Sequence, residues 1–398
     1  MVFIWLRRDH EAQGAAIACA MASICNDEQG SFGLMSGHDE LRHDGNNLSL
    51  SPRGVQVLQR AWLTRGPLAW ALLPAAWLFG ALVAMRRGLY RLGALRSEML
   101  DVPVVVVGNV IVGGAGKTPT VMAVVETLRA QGFSPGVISR GYGRAVDAVV
   151  DVLADTDVCT SGDEPLLMKL RLRSPVVVGR DRVAAARELL RLYPATDVIV
   201  SDDGLQHLRL YRDVQVIVFD QRGVGNGWAI PAGPLREPLP SRVPSKTLVL
   251  YNASKPSTPL PGTLAQRKLR GALSLFDWWQ GLTASADTLS ALKNRRVTAA
   301  AGMAHPERFF DMLRAAGLEI DPLPLPDHHD FSTLPWLTST SDVLVTEKDA
   351  IKLKPERVGG TRVWVVPLDF RLGADFERSL LALLRSSSTR KFHGHPTS

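Results

Sequence analysis

The residues with the clearest chemical promise are Gly113-Gly114-Ala115-Gly116-Lys117-Thr118, a glycine-rich run that closes on a lysine and a hydroxyl. Glycines let backbone N–H groups close around phosphate oxygens, and the lysine adds a full positive charge for the β- and γ-phosphates. The threonine hydroxyl is a hard oxygen ligand suited to Mg²⁺. The general pattern G-x-x-x-x-G-K-S/T asks for glycine where Ile111 stands, so this is a variant loop that lacks the first glycine. The chemistry it implies is binding of ATP or a similar nucleotide, with Gly113, Gly114, Ala115 and Gly116 as amide donors.

Three further constellations could act on what the loop holds. Asp197-Val-Ile-Val-Ser-Asp202-Asp203-Gly204 is an apolar strand ending in acid, the place where a second magnesium-binding carboxylate follows a phosphate loop. Gly162-Asp163-Glu164-Pro165 opens a helix, with both acids at the positive end of its dipole. It reads equally as an N-terminal cap, as a metal partner through Glu164, or as a general base for a substrate hydroxyl. Asp327-His328-His329-Asp330 offers a histidine that could orient a carboxylate.

Arginines beside glycines suit an acidic group on a substrate, and a solvated loop is the competing reading. They occur in Ser139-Arg140-Gly141-Tyr142-Gly143-Arg144 and in Gly179-Arg180-Asp181-Arg182. The candidate substrate contacts are Arg140, Tyr142, Arg144, Arg182, Asp203, Gln206 and His207. Thr346-Glu347-Lys348-Asp349 has the wrong spacing for a guanine-reading Asn-Lys-x-Asp, which argues against a GTPase.

The elements that must position these groups alternate strand and helix. Residues 102–107 are a nearly unbroken apolar run, read as a buried parallel strand, and residues 118–130 as the helix after the loop. Strands are predicted over 136–139, 148–153, 175–178, 197–201, 214–219 and 247–251, with helices over 163–172 and 181–192. A second pattern follows: strands over 296–301, 343–346 and 362–366, helices over 306–316 and 374–384. The fold class is α/β, a phosphate-loop NTPase-like core with a mostly parallel sheet and a smaller C-terminal α/β domain.

Residues 1–54 have no sustained period beyond a hint of helix over 15–25, and are expected to be a poorly ordered extension. Residues 67–85 carry no charge, just meet the length for crossing a bilayer, and are followed by Arg86, Arg87 and Arg91. An interfacial helix is the alternative to a span, so 55–100 is read as a membrane-associated segment. The remaining boundaries are a phosphate-loop core over 101–255, a proline-rich linker region over 256–290, the C-terminal domain over 291–385 and a polar tail over 386–398.

The 398 residues carry net charge +7 with 46% hydrophobic and 21% charged residues, so a folded core is expected and an anionic partner is favoured. No basic run is interleaved with aromatics, which disfavours nucleic acid. Three scattered cysteines form neither a disulfide framework nor a zinc site. No obligate protein partner is indicated.

Taken in order, the motifs resemble tetraacyldisaccharide 4'-kinase, the lipid A 4'-kinase of Gram-negative bacteria, from about residue 61 to about 370. The resemblance rests on Arg65-Gly-Pro-Leu-Ala-Trp70, the loop through Pro119, Ser139-Arg-Gly-Tyr-Gly143 and Gly162-Asp-Glu-Pro165. It continues through Asp202-Asp-Gly-Leu-Gln-His207, Pro231-Ala-Gly-Pro-Leu-Arg-Glu-Pro238, Asp327-His328 and Thr346-Glu-Lys-Asp349. Ala115 stands where threonine is frequent, a position that offers mainly its N–H.

The resemblance implies ATP- and Mg²⁺-dependent phosphorylation of a lipid A disaccharide 1-phosphate at its 4'-hydroxyl. It also implies an enzyme held at the anionic cytoplasmic face of the inner membrane. The family's catalytic Asp–His pair maps onto Asp163 and His328, the latter chosen over His329 because it follows Asp327 directly. Thr118, Asp202 and Glu164 are the expected Mg²⁺ residues. A phosphate-loop ATPase acting as a switch or metallochaperone at the membrane is the alternative.

Overall fold

The computed structural model describes residues 57–58 and 60–392. The expected 15–25 helix and the whole of the N-terminal extension, 1–54, lie outside the described residues. The chain forms two compact units. Of the described residues, one unit comprises those up to Arg86 together with 111–113 and 224–239; the other comprises 87–110, 114–223 and those from Pro240 onward.

In the first unit the apolar stretch is not one continuous helix. It forms α1 (Pro67–Ala71) and α2 (Leu73–Arg91), separated at Leu72. Pro74 cannot donate a backbone hydrogen bond and is tolerated only in a first turn, so the helix restarts there. α2 then runs into Arg86, Arg87 and Arg91. Among the described residues no helix is long and apolar enough to cross a membrane, so of the two readings of 67–85 the span is the one not met. Trp70, Trp77, Leu78 and Met85 are each more than half exposed.

Polar staples organise this unit. Trp62 Nε1 donates to Pro231 O at 2.8 Å, and Asn226 Nδ2 donates to Ala61 O, Thr64 O and Ala232 O. Arg65 lies 5.2 Å over the Trp228 ring, and Trp70 meets that ring edge-on. The proline-rich loop is thereby held through buried backbone carbonyls, which need such partners once they leave water.

The second unit contains the three sheets found among the described residues. Its first eight strands are β1 (Val104–Gly108), β2 (Pro135–Ser139), β3 (Val150–Asp151), β4 (Val176–Val178), β5 (Val198–Asp202), β6 (Val214–Asp220), β7 (Thr247–Asn252) and β8 (Thr263–Leu264). They form one sheet in the order β3-β4-β2-β5-β1-β6-β7-β8, parallel throughout except for β3. β1 is buried at every position, as its run of valines requires of a strand covered on both faces. Helices α3 (Lys117–Ala130), α4 (Val158–Ser161), α5 (Asp163–Leu172) and α6 (Arg182–Leu192) complete this half. In the β1–β5 register Val107 pairs with Asp202, so the phosphate-binding turn and the acidic strand end leave the sheet side by side.

The C-terminal half has β9 (Gln266–Leu269), β10 (Leu273–Ser274), β11 (Arg296–Ala301), β12 (Glu319–Pro324), β13 (Asp342–Val345), β14 (Arg362–Val365) and β15 (Leu368–Arg371). Five of these form a sheet in the order β10-β14-β13-β11-β12, while β9 pairs antiparallel with β15. Helix α7 (Glu307–Ala315) buries Phe309, Phe310 and Leu313. The short helix α8 (Glu347–Ala350) follows β13, and α9 (Ala374–Phe392) closes the chain, eight residues beyond the expected end at 384.

β12 escaped the sequence reading because it contains Pro322 and Pro324. It is an edge strand, where a missing N–H costs no ladder bond. The strand expected over 148–153 shrinks to two residues.

Candidate functional site

The phosphate loop enters α3 through Gly116, whose φ is +88°. A Cβ there would sit 2.0 Å from Asn252 Nδ2, so only glycine lets the loop approach the end of β7. Asn252 uses that closeness: its Nδ2 donates to Ala115 O at 3.0 Å. Arg222 Nη2 donates to Gly114 O at 3.1 Å while its Nε pairs with the buried Asp220. Two carbonyls are thus turned onto side chains just after β6 and at the end of β7, which suits a loop whose amides must point the other way. Neither Asn252 nor Arg222 figured among the sequence candidates. Gly113 belongs to the first unit, and Gly114 to Thr118 to the second.

Lys117 is folded back, with Nζ 3.5 Å from Asn109 Oδ1 and 3.6 Å from Asp203 Oδ2. Thr118, in the first turn of α3, is buried. Asp202 ends β5 with Oδ2 accepting from Ser139 Oγ at 3.0 Å, while Oδ1 is buried without a hydrogen-bond partner. Burial and the nearby charges of Glu164 and Asp203 push its carboxyl up to about 7, against the pull of Lys117. Crowded, buried carboxylate oxygen is the environment a hard divalent cation relieves. Asp202, Glu164 and Thr118 supply oxygen donors only, so this residue set fits Mg²⁺. Among the described residues there is no cluster of three or more His, Cys, Asp or Glu placed to cage a metal. Mg²⁺ commonly needs only one or two carboxylates, completing its shell with phosphates and water.

Asp163 opens α5 after Gly162, and His328 comes from the C-terminal half at a φ of +60°, uncommon for a residue with a side chain. The two meet: His328 Nδ1 lies 2.9 Å from Asp163 Oδ2. His329 turns elsewhere, its Nδ1 accepting from Phe331 N at 3.1 Å. Lys352 Nζ also reaches Asp163 Oδ2, at 2.7 Å, from a side chain only 6% exposed. Burial raises the Asp163 pKa, but His328 and Lys352 outweigh it and leave the carboxyl below its ordinary value.

Lys348 Nζ sits 2.7 Å from Asp327 Oδ1 and 3.3 Å from His328 Nε2. Helix α5 is tied to α8 by an Arg171–Glu347 ion pair, and Arg171 Nη2 also donates to Leu368 O at 2.8 Å. These lysines were missed as site residues. The available signal was their spacing, Lys348 and Lys352 being four residues apart and so on one face of a helical turn.

The candidate substrate contacts separate into groups. Tyr142 is half exposed with its ring centroid 5.9 Å from that of His328, and Arg140 is exposed. Arg144 donates to Ala148 O and Asp147 O within its own loop. Arg182 is buried and donates to Gly179 O and Arg180 O; burial lowers its pKa to about 10 despite the facing charges of Asp202 and Asp203. Gln206 Nε2 donates to Asn109 O at 3.2 Å, and His207 Nε2 lies 3.7 Å from Asp181 Oδ1.

Known proteins fit this geometry. Residues 68–385 match the family described as LpxK, tetraacyldisaccharide-1-P 4'-kinase. The chain is 57% identical over 339 residues to a tetraacyldisaccharide 4'-kinase of Methylibium petroleiphilum, covering 84% of this chain and 95% of that one. It is 55% identical over 331 residues to the protein of the same name from Leptothrix cholodnii, covering 82% and 95%. Its fold is similar to the crystal structure of LpxK from Aquifex aeolicus in complex with ATP, with a TM-score of 0.66 and 26% identity over 80% of this chain and 99% of that one. With the family matched over most of its length, and with Lys117, an acidic strand end and an Asp–His pair in one unit, the chain belongs to the tetraacyldisaccharide 4'-kinase family.

Proposed function

We propose that this chain transfers the γ-phosphate of ATP to the 4'-hydroxyl of tetraacyldisaccharide 1-phosphate, the lipid A disaccharide precursor, giving lipid IVA. The observation that carries the reading is Asp163. Its Oδ2 is occupied by His328 and Lys352, which leaves Oδ1 to accept a hydroxyl proton. In the same unit, Lys117 stands 3.6 Å from Asp203 on the phosphate-loop side.

The reaction needs little covalent help from the protein. The sugar oxygen forms a bond to the γ-phosphorus, the bond from that phosphorus to the β-bridging oxygen breaks, and ADP leaves. The hydroxyl proton passes to Asp163 Oδ1. Lys117 and the loop amides hold the phosphates, so acceleration comes mainly from alignment and charge neutralisation. Thr118, Asp202 and Glu164 would hold Mg²⁺, which supplies positive charge to the β- and γ-phosphates when bound. Tyr142 and Arg140, exposed near His328 and beyond β2, would meet the sugar and its acidic group.

Attachment to the anionic cytoplasmic face of the inner membrane belongs to the same proposal. The exposed Trp70, Trp77, Leu78 and Met85, with Arg86 and Arg87 next in the chain, support an interfacial contact. The test is ATP radiolabelled at its γ-phosphate, incubated with Mg²⁺ and acceptor lipid. Label should move to the organic phase only with acceptor present. Acceptor-independent release of inorganic phosphate would favour the ATPase-switch reading instead.

A further inference from the structure

Two lysines, Lys348 in α8 and Lys352 in the turn that follows it, impose a hydrogen-bond direction on the Asp163–His328 pair. An ammonium carries hydrogens and no lone pair, so it can only donate. Lys348 Nζ lies 3.3 Å from His328 Nε2, whereas the nearby carboxylate oxygen Asp327 Oδ1 is 3.9 Å from that nitrogen and beyond hydrogen-bond reach, so the geometry makes Nε2 the acceptor. The ring hydrogen is then on Nδ1, which donates to Asp163 Oδ2 at 2.9 Å. Lys352 donates to the same Oδ2 at 2.7 Å and to His329 O at 3.0 Å.

The segment that carries both lysines is itself fixed. Thr346 caps it, and Asp349, fully buried between the lysines in sequence, accepts from Gly302 N at 3.0 Å and from Thr346 Oγ1 at 2.6 Å. Asp327 accepts a 2.7 Å bond from Lys348, which keeps that ammonium charged and in place.

We infer that Lys348 and Lys352 are positioning residues of the active site. Lys348 holds His328 as the Nδ1–H tautomer, and Lys352 with His328 fills Oδ2 of Asp163 so that Oδ1 alone faces the acceptor hydroxyl. This deepens the kinase reading and rests on it for its catalytic consequence. It also limits the chemistry of His328. With Nδ1 already protonated and Nε2 engaged by an ammonium, the ring is an orienter and not a relay, so the transferred proton leaves from Asp163 itself.

The test combines a spectroscopic and a kinetic reading on the full chain. In protein with nitrogen-15-labelled histidine, the His328 signal, assigned by its loss in His328→Gln, should show a protonated Nδ1 and a bare Nε2. Lys348→Met should move that ring toward an Nε2–H population. Lys352→Met should lower kcat at least about tenfold, as expected for a misplaced base, with KM for ATP changed less than about twofold. Lys352→Arg should recover part of the loss.

A wild-type ring protonated on Nε2 would overturn the inference, and so would full kcat in both methionine variants. Because the tautomer is read without turnover, it decides the inference even for variants that fold poorly. Absence of phosphate transfer by the wild type would count against the kinase reading alone.

Discussion

Replacing Asp163 with asparagine should produce two separable effects. The first is chemical. Removing a general base typically costs about 10²–10⁴-fold in rate, and an amide oxygen cannot take the proton. Nucleotide affinity should stay within a few-fold, because Asp163 is not part of the phosphate loop. The second effect is on stability. Lys352 is only 6% exposed and Asp163 12%, and the substitution removes the counter-charge of a buried ammonium.

Breaking a buried pair from one side costs about 3–5 kcal/mol, largely the penalty of an uncompensated charge. For a unit of this size that is a Tm fall of roughly 5–10 °C. Asp163→Asn combined with Lys352→Met removes both charges, so it should regain most of the lost Tm while phosphate transfer stays down. Single-turnover transfer, measured well below the melting transition, reads the chemistry, and calorimetry reads the stability. Adding His328→Ala to Asp163→Asn should cost little more, since an orienter without its base has nothing to orient. Wild-type turnover in a folded Asp163→Asn would refute the base assignment. Multiplicative losses in the His328 double variant would refute the pairing.

Other expectations concern separate parts of the molecule. Lys117→Ala should lower transfer by roughly a hundredfold or more, since a charge partner of the transition state is lost; it is read by initial rates at saturating acceptor. Asp342 sits in the C-terminal half with Oδ1 2.8 Å from Trp364 Nε1 and Oδ2 2.7 Å from Arg362 Nη2. Burial raises its pKa, yet those bonds outweigh it and the folded value is depressed. Its contribution is therefore complete above the unfolded carboxylate pKa of about 3.9 and lost as pH falls through the folded value. Asp342→Asn should cost about 1.5–3 kcal/mol in denaturant unfolding at pH 7, a deficit that narrows under acid. Trp77→Ser with Leu78→Ser should weaken co-sedimentation with anionic vesicles and leave the unfolding midpoint within about 1 °C, as both side chains are largely exposed.

The sequence revealed the parts of this site that are local in the chain. Gly116-Lys117-Thr118 and the acid at the end of β5 each follow an apolar run, and a strand that must be buried announces where its C-terminal edge lies. The pairing of Asp163 with His328, 165 positions apart, came only through likeness to a family, because no periodicity spans that interval. The spacing of Lys348 and Lys352 could mark a shared face but not the distant Asp163 that Lys352 meets, and Asn252 was hidden because a lone asparagine at a strand end carries no pattern. The arginines of the two glycine loops could be read either as contacts for an acidic group or as a solvated loop. Arg144 and Arg182 place their donors on backbone carbonyls, an outcome set by loop conformation. The apolar 67–85 stretch was judged by its length and charge, whereas Pro74 set where α2 begins.

The most direct measurement is the position of the new phosphate on the product. After reaction of the purified chain with ATP, Mg²⁺ and tetraacyldisaccharide 1-phosphate, phosphorus–proton correlation NMR should show a second phosphorus coupled to H-4' of the distal sugar. A product that still carries only its original 1-phosphate, or a new phosphate at any other hydroxyl, would contradict the account.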